Sequence, residues 1–189
     1  PDKGSYSPVI QLIAPQKQQL FNSRFTYKIN KQTKIGTEFA LSNQDLNTFS
    51  ELDKNDNIGF GLHVFYEQEI QLKKDSLKQI QLNANYEFKQ DQFNPLERYR
   101  AVEFNRNFSF NDQLNLGEHL ANLGLAFSKA GKGSLSYDVN YLQRDSVYRG
   151  VENTLLSNFK SKHWENTNSV KYLYAKNLDT ETHFIRPNI

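Results

Sequence analysis

The chain has 189 residues, with 23 Lys+Arg against 21 Asp+Glu, a balance that lacks the clustered basic excess of a nucleic-acid binder. It has no cysteine, which excludes a disulfide scaffold, thiolate-held zinc, iron–sulfur clusters and thiol catalysis. Aromatic residues reach 13% at a mean hydropathy of -0.75. Disordered chains are poor in rings, and no run of 18 apolar residues offers a membrane helix, so the chain is ordered through one apolar face and wet on the other. Without Met and beginning at Pro1, it reads as a processed or excised product.

The elements follow a period of two. Phe21, Phe25, Tyr27 and Ile29 alternate with Asn22, Arg24, Thr26 and Lys28. After a turn at 30–32, Ile35, Phe39 and Leu41 alternate with Lys34, Gly36, Glu38 and Ala40. A polar segment, 43–57, leads to Ile58, Phe60, Leu62, Val64 and Tyr66, with Gly59, Gly61, His63, Phe65 and Glu67 opposite. Beyond a tight turn at 73–76 come Ile80, Leu82, Ala84, Tyr86 and Phe88 against Gln81, Asn83, Asn85 and Glu87. A second polar segment lies at 90–96, and 109–119 fits either a loop or a continuing strand. Later runs are Leu123, Leu125, Phe127; then, past a turn at 129–133, Leu135, Tyr137, Val139, Tyr141; then Val170, Tyr172, Tyr174. Alternation of this kind gives each strand one apolar and one polar face. The chain is expected to be all-β: a single domain over 1–189, an antiparallel meander of about eight to ten long strands without helices, its short turns at one end and longer loops at the other.

Motifs for chemistry are absent. His63, His119, His163 and His183 lack the spacing of a zinc site, and no nucleophile elbow occurs. Residues 131–134 echo a phosphate loop but sit between two strands. The 53–57 stretch alternates oxygen donors, yet Ile58 and Val64 occupy the positions where a helical calcium loop needs Gly and Glu. The acids of that segment, Asp45, Glu51, Asp53 and Asp56, mark a solvated loop suited to recognition or to weak cation binding. Arg98, Arg100 and Arg106 share one parity, with Glu97 and Glu103 on the other. Two readings stay open there: an extended loop with Arg–Glu pairs, or arginines lining a polar interior that attracts anions. No catalytic residue and no cofactor is expected.

Two architectures satisfy the alternation. A soluble barrel or sandwich turns its apolar face inward and binds a ligand or partner through the rest. A membrane barrel turns that face to lipid. Runs near the length that crosses a bilayer, tyrosines near strand ends and unequal connections favour the second. The stretches 33–50, 56–59 and 93–106 resemble hairpins of large outer-membrane β-barrel proteins of Bacteroidetes-type Gram-negative bacteria. That resemblance implies a non-enzymatic barrel or barrel segment of the cell outer membrane, with a role in transport or in a membrane assembly. Its partners would be membrane lipid and other outer-membrane or periplasmic proteins. The chain closes on Arg186-Pro187-Asn188-Ile189 and not on the aromatic residue common at the end of such barrels, which points to a segment of a wider barrel. An enzyme with separated carboxylates, acting for example on a glycan, is a third reading.

Overall fold

A computed structural model describes residues 14–50, 57–72, 77–110 and 114–188. Nine strands make one antiparallel sheet in sequence order: β1 Lys17–Lys28, β2 Thr33–Asp45, β3 Ile58–Gln71, β4 Lys78–Lys89, β5 Glu118–Lys129, β6 Gly133–Arg144, β7 Tyr148–Lys160, β8 Glu165–Asn177 and β9 Glu181–Asn188. The chain is all-β, as the alternation predicts. One short helical turn, α1 Phe104–Asn107, interrupts the connection between β4 and β5. The sheet is not closed: β1 and β9 are its two edges.

The register is unbroken from strand to strand. Phe39 stands opposite Leu62, Leu62 opposite Phe88, Leu82 opposite Leu125, and Leu125 opposite Tyr137. Because side chains alternate with a period of two, this register gathers the apolar sets of all nine strands onto one face. That face is bare. Phe25, Leu125 and Ile185 are 60%, 52% and 66% exposed, and Phe21, Tyr27, Ile58, Leu123 and Tyr137 are exposed beside them.

The connections differ at the two ends. At one end 29–32 and 130–132 are tight turns, and Leu72 N–H donates to Lys78 O across the third. The β5–β6 turn depends on Gly131 (φ 71°) and Gly133 (φ 135°); a Cβ at Gly133 would fall 2.0 Å from Asn158 O. At the other end lie the longer connections 46–57 and 90–117, but 145–147 and 178–180 there are tight turns as well, so the expected long-loop end holds for two of its four connections. The 73–76 turn lies outside the described residues.

The buried core sits on the polar parity. Leu142, Tyr148, Leu173 and Ala175 project from β6, β7 and β8, and Phe108 packs on them from the β4–β5 connection, with Phe104, Phe110 and Leu120 around it. Leu142 is fully buried. Leu142→Ala is expected to cost about 2–5 kcal/mol, read as a lower urea midpoint, while Leu142→Met costs under about 1.5 kcal/mol. Equal losses would mean that packing at this point does not hold the loop.

Candidate functional site

The described parts of the connection 90–117 fold back over the polar face instead of reaching into solvent. Its first segment lies on β3. A Cβ at Gly59 would meet Phe93 N at 2.2 Å, so only glycine lets the loop backbone settle there, and the Phe93 ring covers Gly61. Gln90 Oε1 accepts from Phe60 N–H, and Asn94 N–H donates to Ser42 Oγ at 3.0 Å. The second segment turns through α1 and carries Phe104, Phe108 and Phe110 onto the core. Tyr148 O–H donates to the Phe108 carbonyl.

Between these segments one carboxylate gathers three cations. Lys89, Glu118, Arg144 and Tyr148 face one another in a single cross-strand row over β4 to β7. Glu118 Oε1 accepts from Arg144 Nε at 3.1 Å and has Lys89 Nζ at 3.9 Å; its Oε2 accepts from Arg100 Nη2 at 3.1 Å. Arg100 also reaches Glu87 Oε1 at 2.7 Å. Lys89 donates to Asn115 Oδ1, and Arg144 to Leu114 O, so the far part of the loop is fastened by the same cluster. The guanidiniums of Arg100 and Arg144 lie 4.4 Å over the rings of Phe104 and Phe110. Glu118, Arg144 and Lys89 are all buried. Buried ions of this kind persist only where each is paired and hydrogen-bonded. Tyr99 stands beside Arg100, and desolvation of its hydroxyl outweighs the pull of that cation and pushes the phenol up to about 12.

A second polar row crosses the sheet nearer the turns. Asn85 donates to Asn122, Asn122 to Asn140, and Asn140 to Glu152, at 3.1, 2.9 and 3.3 Å. Beyond it a recess of about 800 Å³ opens at the turn end, lined by Lys34, Glu67, Gln81, Asn83 and Asp138 among others. The polar face is thus filled and fastened at the loop end and hollow at the turn end.

The three arginines singled out in the sequence share a loop and not a strand face. Arg100 lies half-buried in the cluster. Arg98 turns back on its own loop and donates to the carbonyls of Arg100, Ala101 and Val102. Arg106 lies exposed in α1, and its carbonyl accepts from Arg186 at 2.9 Å. Asp45 ends β2 and its Oδ1 accepts from Asn47 N–H, while Glu51, Asp53 and Asp56 lie outside the described residues. Glu118, Arg144 and Tyr148, which complete the site, were not singled out. Among the described residues no three His, Asp or Glu side chains converge as a metal ion would need. No family model matches the chain, and no curated protein or solved structure shows significant similarity to it.

Glu118→Gln leaves Arg100, Arg144 and Lys89 facing a neutral amide. A loss of about 3–5 kcal/mol is expected, together with new tryptic cleavage at Arg98 and Arg106 as the loop lifts. Continued protection of both sites would show that the phenylalanines alone hold it.

Proposed function

We propose that this chain forms part of the wall of a membrane β-barrel in the outer membrane of a Gram-negative bacterium, with its apolar face in lipid and its polar face toward the interior. It acts without catalysis, in transport or in a membrane assembly, and the β4–β5 loop narrows the interior. The observation that carries this reading is the bare apolar face, which spans all nine strands and is covered by nothing among the described residues. Soluble monomers rarely expose so large a contiguous apolar surface. Strands of 12 to 14 residues in β1 to β8 suit the same reading. Twelve residues extend about 40 Å, and a tilt near 45° brings that to about 28 Å along the membrane normal, close to the apolar band of such barrels.

A second observation supports lipid over water. Five of the polar side chains that fall on the apolar face meet tyrosine hydroxyls. Tyr66 O–H donates to Gln68, Tyr137 to Asn153 and Tyr141 to Gln143, while Tyr86 and Tyr172 bond the Nδ1 atoms of His119 and His183. Water would satisfy these groups unaided; hydrocarbon cannot. The backbone of β1, which among the described strands pairs only with β2, likewise calls for a further strand, since an open edge does not survive in lipid. A soluble binding domain would have to cover the apolar face with another protein.

Leu125→Arg, on the apolar face, is expected to cost about 2–4 kcal/mol in a folding titration in lipid, and Gln81→Arg, on the polar face, close to nothing. Equal damage would reverse the two faces. Tyr137→Phe strips Asn153 of its partner and should cost about 1–2 kcal/mol in vesicles. A neutral result there would place that surface in water.

A further inference from the structure

A pocket of about 590 Å³ lies on the polar face, between strands β1 to β4 and the first segment of the β4–β5 connection. Two of its lining residues, Ala40 and Gly61, stand directly opposite one another and carry almost no side chain, which leaves space beneath the loop. Gln18 Nε2 donates to the Pro95 carbonyl at 3.2 Å and ties that loop segment to β1. The size falls within the range of small-molecule sites. One part of the lining is apolar, with Leu20, Phe93, Pro95, Leu96 and Tyr99. Leu20 is on the polar parity, as Leu120, Leu142 and Leu173 are. Those three pack with the rings of the loop's second segment, whereas Leu20 and Leu96 stay 38% and 56% exposed. Apolar groups left open in a pocket gain when an apolar body displaces their water.

The other part of the lining is ionic. Glu38, His63 and Glu87 face one another in a cross-strand row over β2, β3 and β4. Glu87 is held by the Arg100 fork, at 2.7 Å to Oε1 and 3.3 Å to Oε2. The cations of the lining are engaged as well: Lys89 with Asn115 and Glu118, and Arg98 with three carbonyls of its own loop. Glu38 is different. Its Oε1 accepts from Asn22 Nδ2 at 3.0 Å, while Arg24 Nη1 stands 3.9 Å from Oε2 with its guanidinium over the Phe65 ring. A carboxylate has about four acceptor sites, so much of the capacity of Glu38 is open. Glu97 adds a further acid to the lining.

We propose that this pocket binds a small organic cation, an ammonium on an apolar body, with the ammonium at Glu38 and the body against Leu20, Phe93 and Leu96. The occupant follows from charge complementarity. An anion would meet Glu38 and Glu97, and the cations of the lining are turned to other acceptors. An ammonium would complete the bonding of Glu38 with charge-assisted hydrogen bonds, the stronger kind. The pocket is formed within this chain, so the inference stands apart from the membrane placement above.

The chain has no cysteine, so Ala40→Cys places a single thiol in the lining. Its reaction with N-ethylmaleimide is followed in phosphatidylcholine nanodiscs, with phenylethylammonium, phenylethanol or phenylpropionate as the probe. At about ten times its dissociation constant the ammonium should slow labelling about tenfold, by mass action. The alcohol, binding about tenfold more weakly without the charge, should slow it about twofold at the same concentration, and the carboxylate should have no effect. Adding Glu38→Gln should reduce the ammonium to the effect of the alcohol. The thiol of Gln81→Cys, toward the turn end, should react at an unchanged rate with every probe. Equal slowing by ammonium and alcohol, or greater slowing by the carboxylate, overturns the cation. Slowing that survives Glu38→Gln overturns Glu38 as its anchor, and no slowing by any probe overturns the site. Failure of the chain to enter nanodiscs bears on the membrane placement alone, and the labelling is then read on the chain in buffer.

Discussion

Every feature of this molecule depends on one register kept without a slip across nine strands. A shift of a single residue in any pair would carry that strand's apolar set to the other face. The pairs Ile35–Tyr66, Val64–Tyr86, Ala84–Leu123 and Val139–Asn153 show the alignment passing intact through the sheet. Tight turns at one end hold the hairpins in step. The result is a single surface that is apolar from β1 to β9, and an opposite surface that is mostly polar outside the loop's footprint, with Phe65 and Leu156 among the exceptions. An isolated sheet cannot keep such a surface in water, so the register sets both the fold and the medium it suits.

The polar face solves a different problem. Its loop-end half carries Leu120, Leu142, Leu173 and Ala175, which would be as badly placed in a wet interior as a charge in lipid. The 90–117 loop covers them with Phe104, Phe108 and Phe110. Covering them also dehydrates Lys89, Glu118 and Arg144, and Arg100 arrives on the loop itself to balance a second carboxylate, Glu87. The aromatic packing and the ion cluster are therefore not separable: the rings exclude water from the ions, and the ions fix where the loop crosses. Arg100 touches both, through Glu118 on one side and the Phe104 ring on the other.

Much of the sheet was legible in the sequence, because period two survives wherever one face is uniformly apolar. Strands β2, β3 and β4 read directly from Ile35–Leu41, Ile58–Tyr66 and Ile80–Phe88. β7 did not, for a physical reason. Its apolar parity is diluted by Arg149, Asn153 and Ser157, while Tyr148 and Leu156 sit on the other parity, Tyr148 beneath the loop. β9, with His183 and Ile185 on one side and Phe184 on the other, is blurred in the same way. The site failed to show because it is made by a return of the chain across the sheet, which local periodicity does not encode. A signal existed nonetheless. Leu120, Leu142 and Leu173 are apolar on the polar parity, and three phenylalanines stand together at 104–110 in the longer of the two long connections. Several off-parity leucines at one end of the sheet call for a cover, and that segment, with its three rings, can supply it. The shared parity of Arg98, Arg100 and Arg106 misled because parity has meaning only in a strand. Residues 98–106 run through bends and into α1, so Arg100 points to the cluster and Arg98 to its own backbone.

Arginine is concentrated toward the loop end, beside Lys17, Lys89 and Lys176, and its chemistry explains what it does there. Arg100, Arg144 and Arg186 serve the fastened half, where a planar fork must bond fixed acceptors with little water present: carboxylates for the first two, the Arg106 carbonyl and the Asn107 amide for the third. No arginine occurs in the turns at the other end, where the cations are all lysine. An ammonium is a compact, strongly hydrated charge on a flexible stem, and it holds no partner in a set geometry. Lysine would be a poor choice for the buried cluster; Lys89 succeeds there only with Asn115 and Glu118 beside it. The loop end of the sheet is built to keep a single arrangement, and the turn end carries charges that are held less rigidly.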